Sequence, residues 1–155
     1  MGLFYLPDAG LLSRRKTLSW HLTQLGDRFP KEVRKQDPPG LDVDPLLRKT
    51  VWEMSGGEER RAELSLAWAR RPMCLLADEP LAGIAPKDQE TVSTVVRAMA
   101  DEGCAVVITG HDVRPLLALA DRIVWMVAGT THGIGSPSEA LVHEQFRREY
   151  LGPGF

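Results

Sequence analysis

Met73-Cys74-Leu75-Leu76-Ala77-Asp78-Glu79-Pro80 is the stretch on which the reading of all 155 residues turns. An uncharged apolar run meets two adjacent carboxylates and a proline, the pattern of a short buried strand with an acidic exit. A second run of the same kind, Cys104 to Thr109, leads into Gly110-His111-Asp112. Between the two, Val92, Val95, Val96 and Met99 recur at i, i+3, i+4 and i+7, which predicts a helix opened by Asp88 and closed by Gly103. Strand, helix and strand over 73–109 make a βαβ unit, so the two strands run parallel. Both are apolar at nearly every position, which predicts a sheet covered by helices on both faces. The fold class is α/β.

Downstream, the pattern predicts a helix near Pro115 to Ala120 and a third apolar strand from Ile123 to Ala128. A glycine-rich turn region over 129–135 follows. Ser136-Pro137-Ser138-Glu139 then spells a capping box with proline at the first helical position, opening a last helix. Upstream, Glu58 and Glu59 fall in the first turn of a helix that carries Leu64, Ala67 and Trp68 on one side until Pro72, and Ser55-Gly56-Gly57 precedes it. Asp44-Pro45 starts a short helix, with Asp as its cap. The charged stretch 31–40 lacks apolar periodicity and ends in Pro38-Pro39-Gly40, a loop. Thr17 caps a helix marked by Leu18, Leu22, Leu25 and Phe29, and Gly2 to Leu6 is a strand cut by the turn residues 7–10.

Composition narrows the function classes. The chain carries 19 Lys plus Arg against 21 Asp plus Glu, a formal charge of −2, and is 43% apolar and 26% charged. That balance is globular and lacks the basic excess of a dedicated nucleic-acid or anionic-membrane binder. No apolar run approaches the roughly 20 residues that span a bilayer, and no signal-peptide core stands at the start. The expectation is a soluble, unexported chain able to dock onto something in a membrane. Cys74 and Cys104 sit inside apolar runs and read as buried reduced thiols. His21, His132 and His143 lack metal-site spacing. Arg14-Arg15-Lys16 and 31–35 read as solvated faces, and Trp20, Trp52 and Trp68 as core or interface aromatics.

The working residues of open α/β sheets lie just beyond the carboxyl ends of the strands. Asp78 and Glu79 end the first core strand, and His111 follows the second. Two adjacent carboxylates can divide labour, one serving Mg²⁺ and the other polarising water. A histidine at the next strand end can donate to a γ-phosphate. Ser55-Gly56-Gly57-Glu58 is a fourth element, because glycines admit close backbone approach and a helix N-terminus favours anions. Taken singly, each also reads as an ordinary strand exit, exposed turn or loop-to-helix junction.

Order and spacing join them. The sequence resembles the ATP-binding subunits of ABC transporters. Met54-Ser55-Gly56-Gly57-Glu58 resembles their signature motif, Met73 to Pro80 their Walker B strand with its catalytic glutamate, Ala82-Gly83-Ile84-Ala85-Pro86 their D-loop, and Thr109-Gly110-His111-Asp112 their H-loop. Tyr5-Leu6-Pro7-Asp8 resembles the entry to the Q-loop. Within the family, the tail is most similar to the group serving lipopolysaccharide export and branched-chain amino acid uptake. The resemblance implies a partial P-loop NTPase (RecA-like) core with a parallel sheet and an inserted helical subdomain, divided into 1–16 (Q-loop region), 17–71 (helical subdomain and signature) and 72–155 (Walker B to C-terminal core). It implies ATP and Mg²⁺ as cofactors. Asp78 would serve Mg²⁺, Glu79 would activate water, and His111 would sense the γ-phosphate. Ser55, Gly56, Gly57 and Glu58 would meet the ATP of an opposing subunit, and Asp8 would hold the Q-loop position. The implied partners are membrane permease subunits and a second ATP-binding subunit paired head to tail, with no nucleic acid. The implied place is the cytoplasmic face of the inner membrane, peripherally bound.

Three departures accompany the resemblance. No G-x-x-x-x-G-K-[ST] occurs among the 155 residues, so the P-loop half is absent and with it the phosphate cradle and its lysine. Asp8 stands in place of the Q-loop glutamine, and Ala85 in place of the D-loop aspartate. The expectation is a chain that does not hydrolyse ATP by itself and that self-associates through an uncovered sheet. A runner-up reading is a non-catalytic, ABC-like regulatory or interaction module.

Overall fold

The computed structural model describes residues 2–30 and 36–152; the stretch 31–35, read above as loop and solvated face, lies outside them. The chain divides into two compact units, 1–111 and 112–155.

In the first unit, β1 (Leu3–Leu6), β2 (Cys74–Ala77) and β3 (Ala105–Ile108) form a parallel sheet in the order β1-β2-β3. The segment from β1 to β2 carries α1 (Leu18–Arg28) and α2 (Gly56–Arg70), with 3₁₀ turns at Asp44–Leu46 and Val51–Glu53. Helix α3 (Pro86–Asp101) joins β2 to β3, which makes the βαβ unit the apolar pattern predicts. Helix α2 packs against α3, α1 and β1, and α3 against β3. The fully buried Leu6, Leu18, Leu64, Leu75, Val92 and Val95 form the centre of this core. Thr17 caps α1 by accepting from the Trp20 N–H.

Two expectations are corrected here. Helix α3 opens at Pro86 on an Ala85 cap, not at Asp88; proline's fixed φ and missing N–H suit a first helical position and draw the start forward. The short 3₁₀ turn at Asp44–Leu46 has Val43 as its cap, with Pro45 early in the turn.

Among the described residues of this unit, helices on both faces of the sheet are not found. The register sets Phe4, Leu75 and Val106, and likewise Leu6, Ala77 and Ile108, in rows on one side, where they are buried or half-buried. The alternate rows are open, with Leu3, Tyr5 and Val107 exposed by 61%, 51% and 55%. The helices of the unit cover one face only.

The second unit holds α4 (Val113–Leu119), an antiparallel hairpin of β4 (Ile123–Val127) and β5 (Thr130–Gly135), then α5 (Pro137–Val142), the short α6 (Glu144–Phe146) and a π-helical turn over Arg147–Leu151. The region 129–135 is therefore mostly strand. Ala128 and Gly129, both at positive φ, form the two-residue bend that matches the twist of paired strands. Trp125, Ala140 and Phe146 are buried together, with Trp125 and Phe146 edge to face at 5.6 Å. Ser136 and Glu139 close the capping box expected of them.

Candidate functional site

The carboxyl ends of β2 and β3 meet because the ladder continues one step past the strands: the Thr109 N–H donates to the Ala77 carbonyl at 3.0 Å. This sets the Thr109 hydroxyl between the two acidic residues. It donates to Asp78 Oδ1 at 2.5 Å and accepts from the Glu79 N–H at 3.0 Å. One hydroxyl thus orients a side chain and a backbone at once.

On the other side of Asp78, the Tyr5 hydroxyl donates to Oδ2 at 3.3 Å. Desolvation, then the Asp78 charge, raise the Tyr5 phenol above its ordinary value, which keeps it a donor. Glu79 takes φ +48, a left-handed conformation that costs an L residue about 1–2 kcal/mol. Its carboxylate meets His111 Nδ1 at 2.9 Å, and the side chains of Glu79 and His111 are 30% and 76% exposed. Such strain concentrates at working sites, and here it turns a carboxylate toward a histidine from the neighbouring strand.

This cluster suits Mg²⁺, which keeps most of its waters and takes one or two carboxylates together with substrate phosphates. Asp78 offers that carboxylate, and among the described residues no set of three His, Cys, Asp or Glu side chains converges as an all-protein metal cage would require.

Ser55 to Glu58 form a second group at the start of α2. Ser55 is the N-cap; its hydroxyl accepts from the Glu58 N–H at 3.3 Å, while the Ser55 N–H donates to Glu58 Oε2 at 3.0 Å. Glu58 Oε1 pairs with Lys49 at 2.6 Å. The Lys49 bond first, then the Ser55 N–H, hold the Glu58 carboxyl below its ordinary value. Both oxygens of Glu58 are thus engaged within the chain, shaping the helix start. Gly56 and Gly57 present their backbone at the positive end of a 15-residue helix. A Cβ at Gly57 would displace the Asp88 carboxylate, which pairs with Arg61 at 3.4 Å.

Asp8, two residues beyond β1, has a side chain that is 67% exposed. Its carbonyl accepts from Arg60 Nη2 at 2.6 Å, and the Pro7 carbonyl from Arg60 Nη1 at 2.9 Å. His21, read as outside any metal site, accepts at Nε2 from the Ser13 N–H and lies 2.9 Å from the Thr17 carbonyl through Nδ1, a structural bridge.

Asp78, Glu79 and His111 are thus brought together. Thr109 and Tyr5 complete the cluster without having been assigned roles, although both stand inside motifs quoted from the sequence. Their signal was position, one at each neighbouring strand end. Arg60 and Glu63 had a fainter one, opposite charges three apart on a helix otherwise rich in apolar residues.

LptB of Escherichia coli (strain K12), the ATP-binding protein of a lipopolysaccharide export system, is 32% identical over 161 residues, covering 99% of this chain and 67% of LptB. A relative from Azorhizobium caulinodans named "Probable ABC transporter ATP-binding protein" is 41% identical over 162 residues, covering all of this chain and 57% of that protein. Among solved structures, an ATP binding subunit of an ABC transporter superposes with a TM-score of 0.74 at 18% identity, over 93% of this chain and 62% of that one. This chain therefore spans about two thirds or less of the lengths it matches. No family model matches it.

Proposed function

The chain belongs to the ATP-binding proteins of ABC transporters, and from that premise we propose that its residues complete an ATP site whose P-loop lies outside these 155 residues. The observation that carries the reading is the Thr109 clasp, which holds Asp78 and Glu79 side by side with Glu79 turned onto His111.

In this reading Asp78, oriented by Thr109 and Tyr5, would hold Mg²⁺. The ion would supply neutralisation of phosphate charge. Glu79 accepts the proton of an attacking water or orients it, and its separation from Asp78 along one strand end keeps the two carboxylates in different roles. His111 donates to the γ-phosphate where negative charge develops. Ser55, Gly56 and Gly57 act on a different ATP, the one carried by an opposing subunit paired head to tail, through backbone N–H groups and the helix dipole. Glu58 contributes by shaping that helix start. Asp8 brings a carboxylate where the family has an amide.

Permease subunits and the cytoplasmic membrane face are the proposed partner and place. No described helix is long and apolar enough to cross a membrane, so attachment would run through those partners. The runner-up, a regulatory module, is not favoured, since the relatives found are themselves ATP-binding proteins.

The test is analytical ultracentrifugation of the chain with a P-loop-bearing ATP-binding subunit arrested by Glu→Gln at its own catalytic glutamate. The expected result is a one-to-one complex that forms with Mg-ATP and is lost with Ser55→Arg. Association that ignores nucleotide, or none, overturns the reading.

A further inference from the structure

Arg60 and Glu63 are charged residues almost wholly out of water, 5% and 2% exposed, on the helix that begins with the signature glycines. Charges in such surroundings persist only when paired and hydrogen-bonded. Glu63 Oε2 accepts from Arg60 Nη1 at 3.0 Å, yet that bond alone would leave most of the guanidinium donors unmet. The rest of the fork reaches across to the segment that leaves β1.

The last ladder bond of β1 runs from the Asp78 N–H to the Leu6 carbonyl at 2.8 Å. Beyond it the chain departs from the sheet, and the next two carbonyls, of Pro7 and Asp8, have lost their ladder partners. Both are taken by Arg60, at 2.9 and 2.6 Å. The Asp8 carboxylate stands further off, at 4.0 Å, and remains largely in solvent. Recognition therefore falls on backbone, independent of the side chain at position 8, and a planar two-pronged donor suits two successive carbonyls as an ammonium does not.

We propose that Arg60 is a positioning residue: its buried guanidinium, hydrogen-bonded to Glu63, locks the Pro7–Asp8 backbone onto the second turn of the signature helix, so that the Asp8 loop and the start of α2 move as one body. The link joins two segments of this chain that stand far apart in sequence. It rests on the geometry of the first unit and holds whether or not the ATP reading above is right.

The test uses the full chain, with carbonyl ¹³C shifts and amide hydrogen exchange by NMR. Arg60→Lys keeps a charge beside Glu63 but removes the fork. It should shift the Pro7 and Asp8 carbonyl resonances and speed exchange of Ala9 to Leu12 by about tenfold or more, the scale of a lost charge-assisted bond, while the amides of β2 and β3 stay as in wild type. Asp8→Asn should leave the exchange of Ala9 to Leu12 as in wild type, because the grip is on the carbonyl. The proposal is overturned if Arg60→Lys leaves these resonances and rates unmoved, if exchange rises evenly through the unit, or if Asp8→Asn loosens the loop as much. Should Arg60→Lys fail to fold, wild-type exchange against denaturant decides: the amides of 9–12 and of Arg60 to Leu64 share one opening free energy if the link holds, and open separately if it does not.

Discussion

At the scale of single residues, charge and backbone conformation carry more of the account than apolar packing. Glu63 shows this most plainly. Burial pushes its carboxyl up to about 7 from an ordinary 4.5, against the opposing pull of Arg60. A folded-state value above the unfolded one means that this group's contribution to stability is complete below about 4.5 and is lost as pH rises through about 7. Urea midpoints measured from pH 5 to 8 should therefore fall less steeply for Glu63→Gln than for wild type; equal slopes would remove Glu63 as the source. Among the site residues named from sequence alone, Asp78, Glu79 and His111 are those whose chemistry stands at a strand exit, beside Ser55 to Glu58 at a helix start and Asp8 beyond β1. Thr109 and Tyr5 escaped because a hydroxyl becomes informative only when the register of three strands sets it beside a carboxylate. Arg60 escaped because, Glu63 apart, its partners are carbonyls, which every residue has.

At the scale of elements, the apolar periodicities of α1, α2 and α3 and the capping box at Ser136 were legible, since each is written in neighbouring residues, whereas the capping box that Ser55 and Glu58 form was not read. The β4–β5 hairpin was not. Its turn is Ala128-Gly129 rather than the usual Asn-Gly, and its second strand, Thr130–Gly135, holds glycines at 133 and 135 that read as loop. Likewise Ala85 was read as a lost D-loop carboxylate, and the structure adds a local cost: it is the N-cap of α3, with extended backbone and no side-chain cap bond. Ala85→Asp should restore a cap and raise the unfolding free energy by about 1 kcal/mol. A denaturation curve that does not move, or moves down, contradicts that assignment.

At the scale of the whole molecule, length and composition describe an ordinary domain, while the motifs resemble the signature, Walker B and H-loop of the family. The sheet of the first unit has Leu3, Tyr5 and Val107 on a face that its described helices leave open. Exposed apolar sheet surface of this kind recruits neighbours. Light scattering of the 155-residue chain should accordingly give a mass above the 17.2 kDa of one copy, and a strictly monomeric solution would count against the open face as an associating surface. Whether these residues lend a signature to an ATP held elsewhere is read from phosphate release from Mg-ATP when the chain is mixed with a P-loop-bearing subunit whose own signature has been disabled. Either chain alone should be silent and the mixture should turn over, with that turnover lost on Ser55→Arg and kept with Glu79→Gln. Silence from the wild-type mixture, or turnover by the chain alone that Glu79→Gln abolishes, would contradict it.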